Sequence, residues 1–196
     1  MGKIVVTEFV SVDGVMEDPG GAEDFDRGGW AFQFDRGDEG DKFKLDEVLE
    51  ADAHLLGRRT YQGFAAAWPS RGGEFADKIN SMPKYVVSRT LDEADWTNST
   101  LITDDVAEAV AKLKQDLDGV ILVAGSAQLV QTLIENDLVD EFRLMVFPLV
   151  IGSGKRLFKD TTQATALRLV DAKSVGSDGV MILTYEPARA RESDAR

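Results

Sequence analysis

The chain contains no cysteine. That removes disulfides, thiolate nucleophiles and cysteine-based metal sites at once. Histidine is nearly as scarce. The single one, His54, excludes a multi-histidine metal centre, so no metal site is expected, and a Ser-His-Asp hydrolase would rest on this side chain alone. His54 stands in the apolar stretch 53–56, where it reads as a packed, neutral imidazole. Basic residues are few: 22 Lys and Arg against 35 Asp and Glu leave a net charge of −13. That field opposes non-specific binding to nucleic acid or to an anionic membrane. An anionic ligand would need a local cluster of arginines. No apolar run reaches the roughly 18 residues of a membrane span, and the N-terminus carries no signal-peptide pattern. The expected placement is cytoplasmic.

What is present fits one globular domain. At 196 residues with 43% hydrophobic content, the chain is long enough to bury a sizeable core. Residues 1–186 are expected to form that domain, and the charged tail 187–196 to be disordered. Up to about residue 134, short Val/Ile-rich runs alternate with helical patterns. The stretches 3–12, 53–56, 84–88, 101–103 and 120–123 read as strands, and 42–51, 64–68, 75–82, 105–117 and 127–135 as helices. Asp105 and Glu108 have the spacing of a capping box. Three strands in succession then close the chain, at 142–150, 167–175 and 180–186. Pro148 marks an edge or a bend, and Gly176-Ser177-Asp178-Gly179 a hairpin. The pattern predicts an α/β fold, with a parallel sheet first and an antiparallel extension at the C-terminal end.

Three turns at strand ends carry the chemistry. They are Gly57-Arg58-Arg59-Thr60, Ser88-Arg89 and Gly125-Ser126-Ala127-Gln128-Leu129. In a parallel sheet the carboxyl ends of the strands lie along one rim, where ligands bind. Arginine suits bidentate phosphate contacts, hydroxyls add donors, and a helix starting after Ser126 would aim its free N–H groups at an anion. Taken singly, each arginine is an ordinary surface charge and the Gly-Ser turn an ordinary connection. Together they describe a phosphorylated dinucleotide site. The run Gly152-Ser153-Gly154-Lys155 lacks the third glycine of a dinucleotide fingerprint and the spacing of a P-loop.

With these residues in view, the chain resembles the dihydrofolate reductase-like superfamily. Leu56-Gly57-Arg58-Arg59-Thr60-Tyr61 is similar to its G-R-x-T-aromatic motif. The start at 5–14, the turn at 87–89, the stretch 123–130 and the run 147–154 extend the likeness to the riboflavin-biosynthesis reductases, the C-terminal domain type of bifunctional RibD, as a stand-alone member. The resemblance implies a dihydrofolate reductase-like fold, a mainly parallel central sheet of about eight strands with helices on both faces. It implies NADPH as cofactor, with Gly57, Arg58, Arg59, Thr60, Ser88 and Arg89 around the 2′-phosphate and diphosphate and Gly125 to Leu129 at the diphosphate. It further implies an oxidoreductase of riboflavin-biosynthesis type, passing a hydride to a C=N or C=O carbon of a small heterocycle such as 5-amino-6-(5-phosphoribosylamino)uracil. Dihydrofolate reduction and a nucleotide-binding module without turnover are the alternatives. A homodimer is expected on the same ground.

The catalytic side is less marked. Asp13, at the end of the first strand, could orient substrate or relay a proton, although Asp-Gly is also a plain turn. Asp41, counted back from Gly57, is the other candidate. Gly14 and Trp30 are expected near the substrate. The Gly- and aromatic-rich segment 16–41 is either a lid over it or a loop pinned to the core by its aromatics.

Overall fold

The computed structural model describes residues 1–159 and 164–188. Eight strands form one sheet: β1 (Lys3–Ser11), β2 (Ala51–Gly57), β3 (Lys84–Val87), β4 (Ser99–Ile102), β5 (Val120–Ala124), β6 (Glu141–Phe147), β7 (Leu167–Val175) and β8 (Val180–Pro187). Their order is β4-β3-β2-β5-β1-β6-β8-β7. The first six in that order are parallel to one another, β8 joins antiparallel to β6, and β7 antiparallel to β8. Five helices connect them: α1 (Gly37–Glu50), α2 (Arg58–Ala67), α3 (Glu74–Ser81), α4 (Val106–Asp116) and α5 (Ala127–Glu135). The expected fold class is therefore the observed one. The tail residues 189–196 lie outside the described residues, and Pro187 belongs to β8.

The two faces of the sheet follow from strand alternation. Val5 of β1 and Leu122 of β5 pack with Val48 of α1, Tyr61 of α2 and Ile79 of α3. Ile4 and Val6 of β1 pack with Val110 and Leu113 of α4 and Val130 and Leu133 of α5 on the other face. Aromatics build a third cluster under the N-terminal loop, where Phe147 meets Phe9 and Trp30 edge-on. Asp105 caps α4 by accepting the Glu108 N–H at 3.0 Å, as its spacing predicts.

Several boundaries move. The helix expected from residue 42 begins at Gly37. The turn carrying Arg58 and Arg59 is itself the first turn of α2. As a result α1, β2 and α2 follow one another without a connecting residue. Strand β2 carries a register shift between Ala51 and Ala53, and the Asp52 carboxylate accepts the Val120 N–H there at 2.9 Å. Pro148 ends β6 rather than marking an edge, since β6 is paired on both sides.

Candidate active site at the switch point of the sheet

Strand β1 has β5 on one side and β6 on the other. The chain leaves β1 through α1 on one face and leaves β5 through α5 on the other. The connections thus diverge between β1 and β5, which is where a doubly wound sheet opens a ligand crevice beyond its carboxyl ends. The β1–β5 pairing ends at Thr7↔Ala124, while β1 stays paired to β6 as far as Ser11↔Phe147. From Glu8 onward the β5 side of β1 is open.

Two strand-to-helix turns meet at this opening. Thr60 Oγ1 and Ser126 Oγ lie 3.0 Å apart. Gly57 approaches so closely that a Cβ on it would fall 2.2 Å from Ser126 Oγ. A Cβ on Gly125 would fall 2.6 Å from Thr60 Oγ1, and Gly125 has φ +70° besides. Both positions therefore need glycine. Ser126 has an unusual role at the helix start. It precedes α5 but does not cap it: its backbone is left-handed, φ 67°, and its hydroxyl turns to Thr60 instead of to the helix N–H groups. Those N–H groups stay available to an anion.

The three arginines stand at strand ends on the carboxyl rim of the sheet. Arg58 and Arg59 start α2, Arg89 follows β3, and all three are exposed and in no ion pair among the described residues. Arg59 lies close enough to Glu17 to help lower the pKa of that carboxylate, behind the larger effect of Lys155. Ser88 is buried, and its hydroxyl accepts the Thr90 and Leu91 N–H groups, so it shapes the turn that presents Arg89. Ala127 and Leu129 are buried and Gln128 is exposed. Leu129 packs its side chain in the core, leaving only its backbone for a ligand. The residues present fit a dinucleotide: a glycine cradle, an open helix start and three unengaged guanidinium groups.

The expected catalytic carboxylates are both engaged by other groups. Asp13 accepts the Ser11 hydroxyl at 2.6 Å and the Ile151 and Gly152 N–H groups at 3.0 and 2.8 Å. The Ser11 bond foremost holds its pKa down at about 2. It is an ionised anchor tying the end of β1 to the loop after β6, with no proton to relay near neutrality. Gly14 closes the same turn at φ +81°. Asp41 is 66% exposed and paired with Arg36 at 2.6 Å on the outer start of α1. Trp30 is 1% exposed against Phe147, with its indole N–H donated to the Glu17 carbonyl at 2.9 Å. The aromatics thus pin the loop to the core, apart from the exposed Phe32.

A polar cluster unforeseen in the sequence takes their place. From α1, Lys44 donates to Thr7 Oγ1 at 2.6 Å and pairs with Glu47 at 2.6 Å. The Thr7 hydroxyl in turn donates to Glu47 at 2.9 Å. Glu8, one residue further along β1, points to the other face of the sheet with Val6 and Val10 and is 6% exposed. Desolvation raises its pKa to about 8, with Lys44 and the Gly125 N–H as opposing influences. Oε1 of Glu8 and Oε1 of Glu47 have no hydrogen-bond partner among the described residues. A buried carboxyl with a perturbed pKa in a cleft is a mark of a working site.

Comparison with known proteins places the chain in a family. The model of the RibD C-terminal domain family matches residues 2–181. The chain belongs to the RibD C-terminal domain family. It is 32% identical over 188 residues to the uncharacterized protein YyaP of Bacillus subtilis (strain 168), covering 93% of this chain and 94% of that one. Among solved structures, a protein ascribed to riboflavin biosynthesis in Shewanella sp. PV-4 superposes with a TM-score of 0.75 at 20% identity, covering 95% of this chain and 99% of that one. A dihydrofolate reductase of Enterococcus faecalis, complexed with NADP(H) and RAB-propyl, gives 0.61 at 14% identity, covering 95% and 97%. No helix among the described residues of this family member is long and apolar enough to cross a membrane.

Proposed function

We propose that this RibD C-terminal domain protein is an NADPH-dependent reductase of a small heterocyclic substrate. The observation that carries the reading is the junction of the Gly57–Thr60 and Gly125–Ser126 turns at 3.0 Å, with the exposed Arg58 and Arg59 in the first turn of α2 and Arg89 after β3. The bound dinucleotide would supply the hydride. The chain's own part is to hold and orient. Arg58, Arg59 and Arg89 would grip the 2′-phosphate, on a turn that Ser88 shapes, and the open N–H groups of α5 the diphosphate. Thr7, Lys44 and Glu47 border the substrate side, where buried polar atoms without partners favour a ligand rich in N–H and O–H groups. The related proteins named above direct the choice of substrates to try: the ribosylaminouracil phosphate of riboflavin biosynthesis first, dihydrofolate second.

The test is NADPH oxidation followed by absorbance across a panel of pyrimidine, pterin and other heterocyclic substrates. Turnover of any member supports the reading. A protein whose melting temperature rises with NADPH, yet which never oxidises it on the panel, would be a binding module instead.

A further inference from the structure

Glu8 occupies an uncommon position. It lies on the central strand, one residue past the last β1–β5 pair, at the point where β1 turns an unpaired edge toward the crevice. The charged and titratable groups around it are few. Its side chain shares the α5 face of β1 with Val6 and Val10, where the Gly125 N–H bonds it, while the charges of Lys44 and Glu47 act on it across the strand from α1 and that of Glu23 from the N-terminal loop. Lys44 is already engaged by Thr7 and Glu47, and it forms no ion pair with Glu8. Burying a carboxylate without a paired cation is costly, so the group keeps its proton instead. Glu8 Oε1 meanwhile lacks a partner. Asp13, by contrast, is ionised and saturated with donors.

We propose that Glu8 is the proton donor of this site, passing its carboxyl hydrogen to the substrate nitrogen or oxygen whose carbon is reduced. The proposal rests on the reductase reading above and adds the acid which that reading lacks. In balance, the Glu8 O–H bond breaks as an N–H or O–H bond forms on the substrate, while the adjacent carbon gains the hydride that NADPH supplies. Two electrons thus leave the dinucleotide, and the C=N or C=O bond becomes a single bond. Glu8 is left as a carboxylate and regains a proton from water before the next cycle. A neutral carboxyl with a pKa near 8 suits this task, because it is protonated at neutral pH and gives up its proton readily.

The test uses the full chain and the Glu8→Gln variant, with NADP⁺ and NADPH as probes. The nicotinamide ring of NADP⁺ is positively charged and that of NADPH is not, so a carboxyl beside it ionises more readily with NADP⁺ bound. Calorimetry at pH 7 in buffers of different ionisation enthalpy should show that the wild type releases more protons than E8Q on binding NADP⁺. At pH 7 the NADP⁺ affinity of the wild type should rise relative to E8Q by about twofold if the bound ring lowers the Glu8 pKa by one unit and by about tenfold if it lowers it by two. The 2′-phosphate of the ligand titrates alike in both proteins and drops out of the comparison. With a substrate that turns over, E8Q should lower kcat by about 10²- to 10⁴-fold and leave the NADPH affinity unchanged. Should E8Q fail to fold, the infrared spectrum of the wild type decides: a protonated-carboxyl band at pH 7 that disappears on adding NADP⁺ supports the proposal, and an unchanged spectrum overturns it. Equal proton release and equal kcat in the two proteins would overturn the role of Glu8 and leave the reductase reading standing. A wild type that binds neither dinucleotide overturns both.

Discussion

Glu8 and Asp13 lie five positions apart in the sequence and carry opposite pKa shifts. The ordinary value of 4.5 for Glu8 is raised to about 8 by burial, and that of Asp13 falls to about 2 under three donated hydrogen bonds. The Glu8 shift has a direct consequence for stability. Its folded pKa exceeds its unfolded one, so its contribution is fully present below pH 4.5 and is lost as pH rises to about 8. Within that window the loss approaches about 1.4 kcal/mol per pH unit. Glu8→Gln removes the titration, so the variant should gain on the wild type from pH 5 to pH 8 and run parallel to it above. Chemical denaturation at four or five pH values measures this. Arg59 is a second single-residue test. Losing one charge-assisted contact costs about 1.5–3 kcal/mol, or roughly 10- to 100-fold in affinity. Arg59→Ala should therefore weaken NADPH much more than NADH, read by calorimetry with each. Sequence reasoning reached the arginines because the Gly-Arg-Arg-Thr turn is a local pattern. It passed over Glu8 because a polar residue among Val, Thr and Phe in a strand reads as a solvent-facing position. Only the packing of the Val6–Val10 face of β1 against α5 and its preceding turn buries it.

The two turns of the cradle form the next level. Gly57 is glycine because of Ser126, 69 residues away, and a Cβ on it would lie 2.2 Å from the serine hydroxyl and 2.6 Å from the serine Cβ. Gly57→Ala alone should destabilise the fold and reduce NADPH binding sharply. Adding Ser126→Gly removes both clashing atoms and relaxes the left-handed backbone at 126, so the double variant should recover much of the stability. Thermal melts of the four proteins in the cycle give the coupling. The N-terminal loop is an element of a different kind. Its Trp30, buried against Phe147, fastens residues 16–34 to the core. Trp30→Ala should cost about 3–5 kcal/mol, and amides near Trp30 should show unchanged hydrogen exchange when NADPH binds. Strand positions and the parallel-then-antiparallel order were legible from alternating apolar runs. The start of α1 was not, because Gly37, Asp38 and Gly40 disguise a first turn that Asp35, Asp178 and Ser177 hold from outside.

For the whole molecule, the sheet is closed on neither side, and β7 forms one exposed edge with Leu169 and Val170 about half exposed. A homodimer through this end would cover them, and light scattering should then give twice the 21.4 kDa chain mass. The interior transmits as well as packs. From Gly37 to Ala67 the chain runs helix, strand, helix with no intervening loop. Lys44 and Glu47 stand on α1, toward the proposed substrate side, and Gly57, Arg58 and Arg59 at the start of α2, on the proposed phosphate side. No loop lies between them to absorb a shift, so under that reading a ligand that repositions α1 must also move the phosphate grip. Occupancy of either half then alters affinity for the other, by the same factor in both directions. Two glycines inserted between Glu50 and Ala51 would act as a clutch, leaving each half able to bind while erasing the cooperation between them.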